Sequence, residues 1–147
     1  MNSAEAKLRT LASADATMVA DFGSGPFRWF QVQIPQGYIG KGSCVRVRRV
    51  SAVYLYVQEG ITQAEQVRLQ FDVLDKSQDR AKDVLNDLCS FLAGVDLMSG
   101  AQFTSPPSTP TQFANFLRSQ RSGIEYQVEV EIFSWSADWR IWSNTNI

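Results

Sequence analysis

Two periodicities meet between Gln66 and Leu92. Val67, Leu69, Phe71 and Val73 alternate with Gln66, Arg68, Gln70 and Asp72, the period of two that a strand with one buried face requires. From Ala81 the apolar residues fall at Val84, Leu85, Leu88, Phe91 and Leu92, the three-and-four spacing of a helix burying one stripe. Ser77 is placed to cap that helix, since its hydroxyl can accept from the free amides of the first turn, and Asp79 sits where the helix dipole favours negative charge. Gly94 is expected to end it through a positive φ.

The rest of the chain completes this unit. Ser3 to Leu11 reads as a short helix, with Ala4, Leu8 and Leu11 on one side; it is too short to persist alone in water and must pack on something. Ser13 to Gly25 has turn residues and no clear pattern. Phe27, Trp29 and Phe30 form an aromatic cluster leading into Val32 and Ile34, read as an edge strand or loop over the core, with a partner-docking surface as the alternative. Ile34-Pro35-Gln36-Gly37 is a turn. Cys44 to Gln58 is a long strand with Val45, Val47, Val53, Leu55 and Val57 on one face and Arg46 and Arg48 on the other. Arg49 and Ser51 interrupt the apolar face, which predicts a bulge. The turn at Glu59-Gly60-Ile61-Thr62 makes this strand an antiparallel hairpin with Gln66–Leu74.

Beyond Leu92 the pattern weakens. Pro106, Pro107 and Pro110 exclude helix and central strand, so 99–110 is expected to be an exposed Pro/Ser-rich loop or arm. A short helix is predicted from Thr111 to Arg118, closed by Gly123. The last predicted strand is Ile124 to Phe133, with Ile124, Tyr126, Val128, Val130 and Ile132 facing one way and Glu125, Gln127, Glu129 and Glu131 the other. An aromatic C-terminal tail over 135–147, carrying Trp135, Trp139 and Trp142, is expected to dock on its own subunit or on another. The predicted plan is one domain over 1–147 of the α+β class. It is a two-layer sandwich, with a mainly antiparallel sheet of about four strands and helices packed on one face.

Composition narrows the chemistry. A chain of 147 residues buries roughly two-thirds of its unfolded surface, and a net charge of −1 gives no global nucleic-acid footprint. There is no histidine, which removes Ser–His and Cys–His nucleophile pairs and the commonest nitrogen metal ligand. Gly23-Ser24-Gly25-Pro26 neither follows a clear strand nor opens a helix, so it is no dinucleotide loop, and no phosphate-binding lysine loop occurs. Asp79, Asp83 and Asp87 stand four apart on the central helix and read as a solvated face before a metal site. No catalytic residue, metal or cofactor is therefore expected. Cys44 and Cys89 lack metal-ligand spacing and read as reduced, structural thiols. Neither a signal peptide nor a membrane span is visible. Arg46 and Arg48 on one strand face, set against Glu125, Glu129 and Glu131 on another, fit contacts within the subunit or between copies. Such oppositely charged faces suit a head-to-tail ring.

The order of elements resembles the tail terminator (tail completion) proteins of long-tailed bacteriophages. The resemblance rests on the Pro35-Gln36-Gly37 turn, the long strand, the hairpin through Glu59-Gly60, the strand-to-helix unit Arg68–Leu92 and the late strand Tyr126–Phe133. It implies a non-enzymatic virion protein, assembled in the host cytoplasm, that forms a hexameric ring at the head–tail junction. Such a ring contacts the tail tube protein and the head connector and lets DNA pass without specific binding, with Glu129 and Glu131 as candidates for an acidic lumen. The 99–110 arm and the 135–147 tail do not map onto the family pattern. The competing readings are a head-completion or connector component of the neck, and a small cytosolic binding module or metal-dependent enzyme using the helix aspartates.

Overall fold

The computed structural model describes residues 3–31, 34, 42–56, 63–95, 97, 114–127 and 130–144; for 54–56, 63–64, 114–127, 130–131 and 144 it describes the backbone alone. In chain order the elements are α1 (Ala4–Ala14), α2 (Ala16–Phe22), β1 (Trp29–Gln31), β2 (Cys44–Tyr56), β3 (Gln63–Asp75), α3 (Gln78–Ala93), β4 (Ala114–Gln127) and β5 (Val130–Asn144). The five strands form one sheet in the order β1-β2-β3-β5-β4. The short β1 runs parallel to β2, and every other pair is antiparallel. The α+β expectation holds, the three-residue β1 being the addition to the four long strands.

One face of the sheet carries the core. Val45, Val47, Val67, Leu69, Phe71, Val73, Ala137, Trp139 and Ile141 pack against Leu8 and Leu11 of α1, Met18 and Phe22 of α2 and the Val84, Leu85, Leu88, Phe91, Leu92 stripe of α3. At 1.5–3 kcal/mol for each large side chain taken from water, burial of this kind is the main force holding the helices to the sheet. α2 was not legible in sequence, because a seven-residue helix shows barely two turns of periodicity. The predicted Ser77 cap forms, its hydroxyl accepting from the Arg80 amide at 3.4 Å, and the hydroxyl of Ser3 caps α1 in the same way, accepting from the Ala6 amide at 3.2 Å. Gly94 does end α3, but at φ −100°, so it uses no left-handed backbone.

The β2 bulge falls where it was predicted, between Arg49 and Ser51. An inserted residue reverses the faces of everything beyond it. Val53 therefore leaves the apolar face on which simple alternation placed it and stands 53% exposed, opposite Gln66.

The C-terminal third corrects the sequence reading. The predicted helix Thr111–Arg118 is absent over its described residues, 114–118, which belong to β4, and Gly123 lies inside β4 beside a register irregularity. Pairing along β5 overrides the weak local spacing of Phe113, Phe116 and Leu117. The predicted single strand Ile124–Phe133 is two strands, whose register closes at Gln127↔Val130. Glu125 and Glu131 thus stand on different strands and form no single acidic face. The predicted tail 135–147 is, through Asn144, part of β5, which lies between β3 and β4. The Pro35–Gly37 turn, the 99–110 arm, Val128 and Glu129 lie outside the described residues. Cys44 is buried and Cys89 half-buried, and no disulfide joins them.

A candidate assembly surface on the open sheet face

The aromatic candidates divide by burial. Trp29 is the centre of a cluster: its ring stacks on Phe27 at 5.9 Å and meets Phe22 and Phe71 edge-on at 6.0 and 6.1 Å. Phe27, Trp29 and Trp139 are all core residues, so of the two expected alternatives their burial favours covering their own core over docking a partner. Their apolar area is already spent inside the subunit. Phe30, Trp135 and Trp142 are half-buried. Phe30 packs against a small second cluster of Ile34, Cys44, Leu74 and Ile132, and Trp135 lies 5.7 Å beneath the Lys82 ammonium.

Polar residues also lie under the helices. Arg49, held on the core face by the bulge, is clamped between Glu5 of α1 at 2.6 Å and Glu65 of β3 at 3.3 Å. Hydrogen bonding to Glu5 keeps its guanidinium charged despite partial burial. Asp21 is buried between α2 and α3. Burial first, then a hydrogen bond and repulsion with Asp87, push its carboxyl up to about 7, against the weak pull of Arg80 at 3.9 Å.

The second face of the sheet is built differently, and its register gives it rungs. The first rung aligns Phe30, Arg46, Asp72 and Ser136; the next aligns Arg48, Gln70 and Asp138; beyond the bulge come Ser51, Arg68 and Arg140, then Val53, Gln66 and Trp142. Asp72 is the floor of this face. Only 1% of its side chain is exposed, yet it takes Arg46 and Arg48 at 3.0 Å each, the Ser136 hydroxyl at 2.6 Å and the Gln70 amide at 2.9 Å. Burial alone would raise the Asp72 carboxyl; the Ser136 and Gln70 hydrogen bonds and the two arginine charges outweigh it, and its pKa lies below the ordinary value. Asp138 is held likewise by Arg68 at 2.7 Å. The carboxylates are therefore inside and the guanidinium groups outside: Arg48 and Arg68 keep 44% and 37% of their side chains exposed.

The structure thus places Arg46 and Arg48 together, but on a partner that the sequence reading missed. Glu125 is on β4, three strands and about 14 Å from β2. Glu131 is five residues along β5 from Ser136, which shares a rung with Asp72, hence about 17 Å along the strand. These separations exceed what an arginine and a glutamate span together, so the within-subunit version of that charge pairing is set aside. Asp72 was visible in sequence as the acidic member of a polar alternation otherwise made of Gln66, Arg68 and Gln70. Asp138 and Arg140 were hidden inside the supposed tail. Among the described residues no group of three or more His, Cys, Asp or Glu is arranged to hold a metal ion.

No protein-family model matches the chain, and no curated protein matches it. Among solved structures, a chain of the virion of a native gene transfer agent particle shares 14% sequence identity with this chain. The match covers 97% of this chain and 95% of that one, with a TM-score of 0.59. At that identity the likeness establishes a common fold over nearly the whole length.

Proposed function

We propose that this chain is a structural, non-enzymatic subunit of a phage-like virion that assembles as a ring, ends the tail tube and joins it to the head connector. The observation that carries this reading is the open sheet face: the main apolar core occupies one side, while the other presents, beside the small Ile34, Cys44, Leu74 and Ile132 cluster, an ordered layer of arginines over buried aspartates. Burying charge so thoroughly adds little to stability compared with an apolar face of the same shape, but it gives a rigid pattern suited to recognition. The fold shared with a gene transfer agent virion chain supports the setting, and the resemblance to tail terminators supports the position. On this reading the ring is a homohexamer, the tail tube protein and the head connector lie on its two sides, and DNA crosses the lumen without specific binding. Half-buried Phe30, Trp135 and Trp142 are candidates for contact with those neighbours.

Electron microscopy of particles made without this gene tests the reading. Tail tubes of uncontrolled length are the expected outcome. Normal tubes with filled but leaking heads would replace it with a head-completion role.

A further inference from the structure

The ring reading leaves open what the arginine face takes hold of. Three guanidinium groups reach solvent there, on three adjacent strands. Arg48 of β2 keeps 44% of its side chain exposed. One rung further on, Arg68 of β3, 37% exposed, stands directly opposite exposed Arg140 of β5. Such a pairing of like charges costs stability in an isolated sheet. Arg68 gives one amino group to Asp138 at 2.7 Å, but its Nε finds no acceptor, and an unpaired donor is a cost that an incoming acceptor removes. A fold that keeps this rung gains when an anionic group settles over it.

Beside the arginines the face turns apolar. The next rung carries Val53 and Trp142 on either side of Gln66, with Val53 53% exposed and Trp142 half-buried. Val53 and Val50, the residue at the bulge, are the exposed large apolar side chains among the described residues. Arginine and tryptophan next to exposed aliphatic carbon is the composition of a contact between proteins. A nucleic acid fits this face less well. Arg46, Arg48, Arg68 and Arg140 over Asp72 and Asp138 give four positive and two negative charges, an excess of +2. In a chain of net charge −1 the remainder then carries −3, which repels a polyanion on approach, and phosphates offer nothing to Val53.

We infer that Arg48, Arg68 and Arg140, with Val53 and Trp142, form the docking site for an extended acidic segment of a partner protein, one that carries an apolar side chain next to its carboxylates. Successive rungs of this face stand two residues apart along β3, about 7 Å, which is also the spacing of alternate residues in an extended chain. Carboxylates of the segment settle over Arg48 and over the Arg68–Arg140 pair, and the following apolar side chain covers Val53 beside the Trp142 ring. The charges set the choice of partner and the rate of encounter. Added salt weakens the contact, because the three arginines meet solvent before docking. This inference rests on the reading of the open face as an assembly surface and names the chemistry that the face takes.

Calorimetric titration in low salt tests it, with a capped peptide that carries two glutamates and a leucine at alternate positions and serine between them. Saturable binding is expected, and exchanging the glutamates for glutamine should weaken it about tenfold or more. Arg140→Glu leaves the Asp72 ion pairs intact and removes a like-charge opposition, so it should fold as well as the unmodified chain yet lose the peptide by the same factor; Arg48→Ala supplies a second, milder probe. Val53→Ser should weaken the leucine peptide and leave unchanged a peptide with serine in place of the leucine. Absence of saturable binding overturns the inference. So does displacement of the peptide by an equal concentration of inorganic phosphate, the mark of a bare anion site, or tighter binding of a short oligothymidylate, the mark of a nucleic-acid surface. Self-association of the unmodified chain that Arg140→Glu abolishes also overturns it, because the occupant is then a second copy. The ring reading is decided separately, by tube length in particles made without the gene, and stands or falls whatever the peptide does.

Discussion

The two faces of one sheet, built from the same strands, solve opposite problems. Under the helices, Val67, Leu69, Phe71 and Val73 meet other apolar groups, and no partner outside the subunit is needed. On the open face, Arg68, Gln70 and Asp72 are joined to neighbours by directional contacts that leave the guanidinium groups outward. The difference teaches that alternation sorts residues by face but does not say what the polar face is for. A merely solvated face would scatter charges; this one buries its carboxylates and exposes its cations.

The contrast breaks most sharply in the core. Trp29→Ala removes the ring that joins Phe22, Phe27 and Phe71, and should cost about 4 kcal/mol in urea unfolding. Next comes Asp72→Ala, which strips the shared partner from Arg46, Arg48 and Ser136 and should cost about 3 kcal/mol. Because the Asp72 carboxyl is held below its ordinary pKa, its contribution is present at neutral pH and lost as the solution is acidified through that lowered value. Unfolding followed below pH 4 should therefore show Asp72→Ala converging on the unmodified chain.

Asp21 has the opposite sign. Its carboxyl titrates near 7 when folded, so the folded state holds a proton that the unfolded chain releases near pH 4. That stability is full below about pH 4 and lost as the pH rises through about 7. Asp21→Asn should match the unmodified chain at pH 4 and exceed it by about 1 kcal/mol at pH 8, seen as a higher thermal midpoint. Smallest is Val53→Ser: a side chain turned outward by the bulge should change stability by no more than about 0.5 kcal/mol. A larger loss would mean that Val53 is covered in the folded protein.

The strand-to-helix unit was legible because both periodicities run for several residues without interruption. The bulge was legible too, since Arg49 in an apolar row has no other simple explanation; the structure adds that Arg49 stays inside by pairing with Glu5 and Glu65. β5 was legible only as far as Phe133, although Trp135, Ala137, Trp139 and Ile141 alternate with Ser134, Ser136, Asp138 and Arg140. Three tryptophans drew attention to docking, and Trp142 on the polar side broke the alternation near its end. β4 was legible only over its last residues, 124–127, for a physical reason: its register irregularities after Phe116 and Arg121 erase a continuous period, and only pairing with β5 defines the rest. The assembly surface was half legible. Arg46 and Arg48 stood out, but their floor, Asp72, comes from a strand that the sequence already assigned to the core.

The central claim is that one face folds the subunit and the other assembles it. Its most direct test is to measure the thermal midpoint of Arg140→Glu and its affinity for the glutamate and leucine peptide side by side. The account predicts an unchanged or slightly raised midpoint, up to about 0.5 kcal/mol of added stability from removing the Arg68–Arg140 opposition, together with a loss of about tenfold or more in peptide affinity. An affinity equal to that of the unmodified chain, or one that falls only in step with the midpoint, would contradict it.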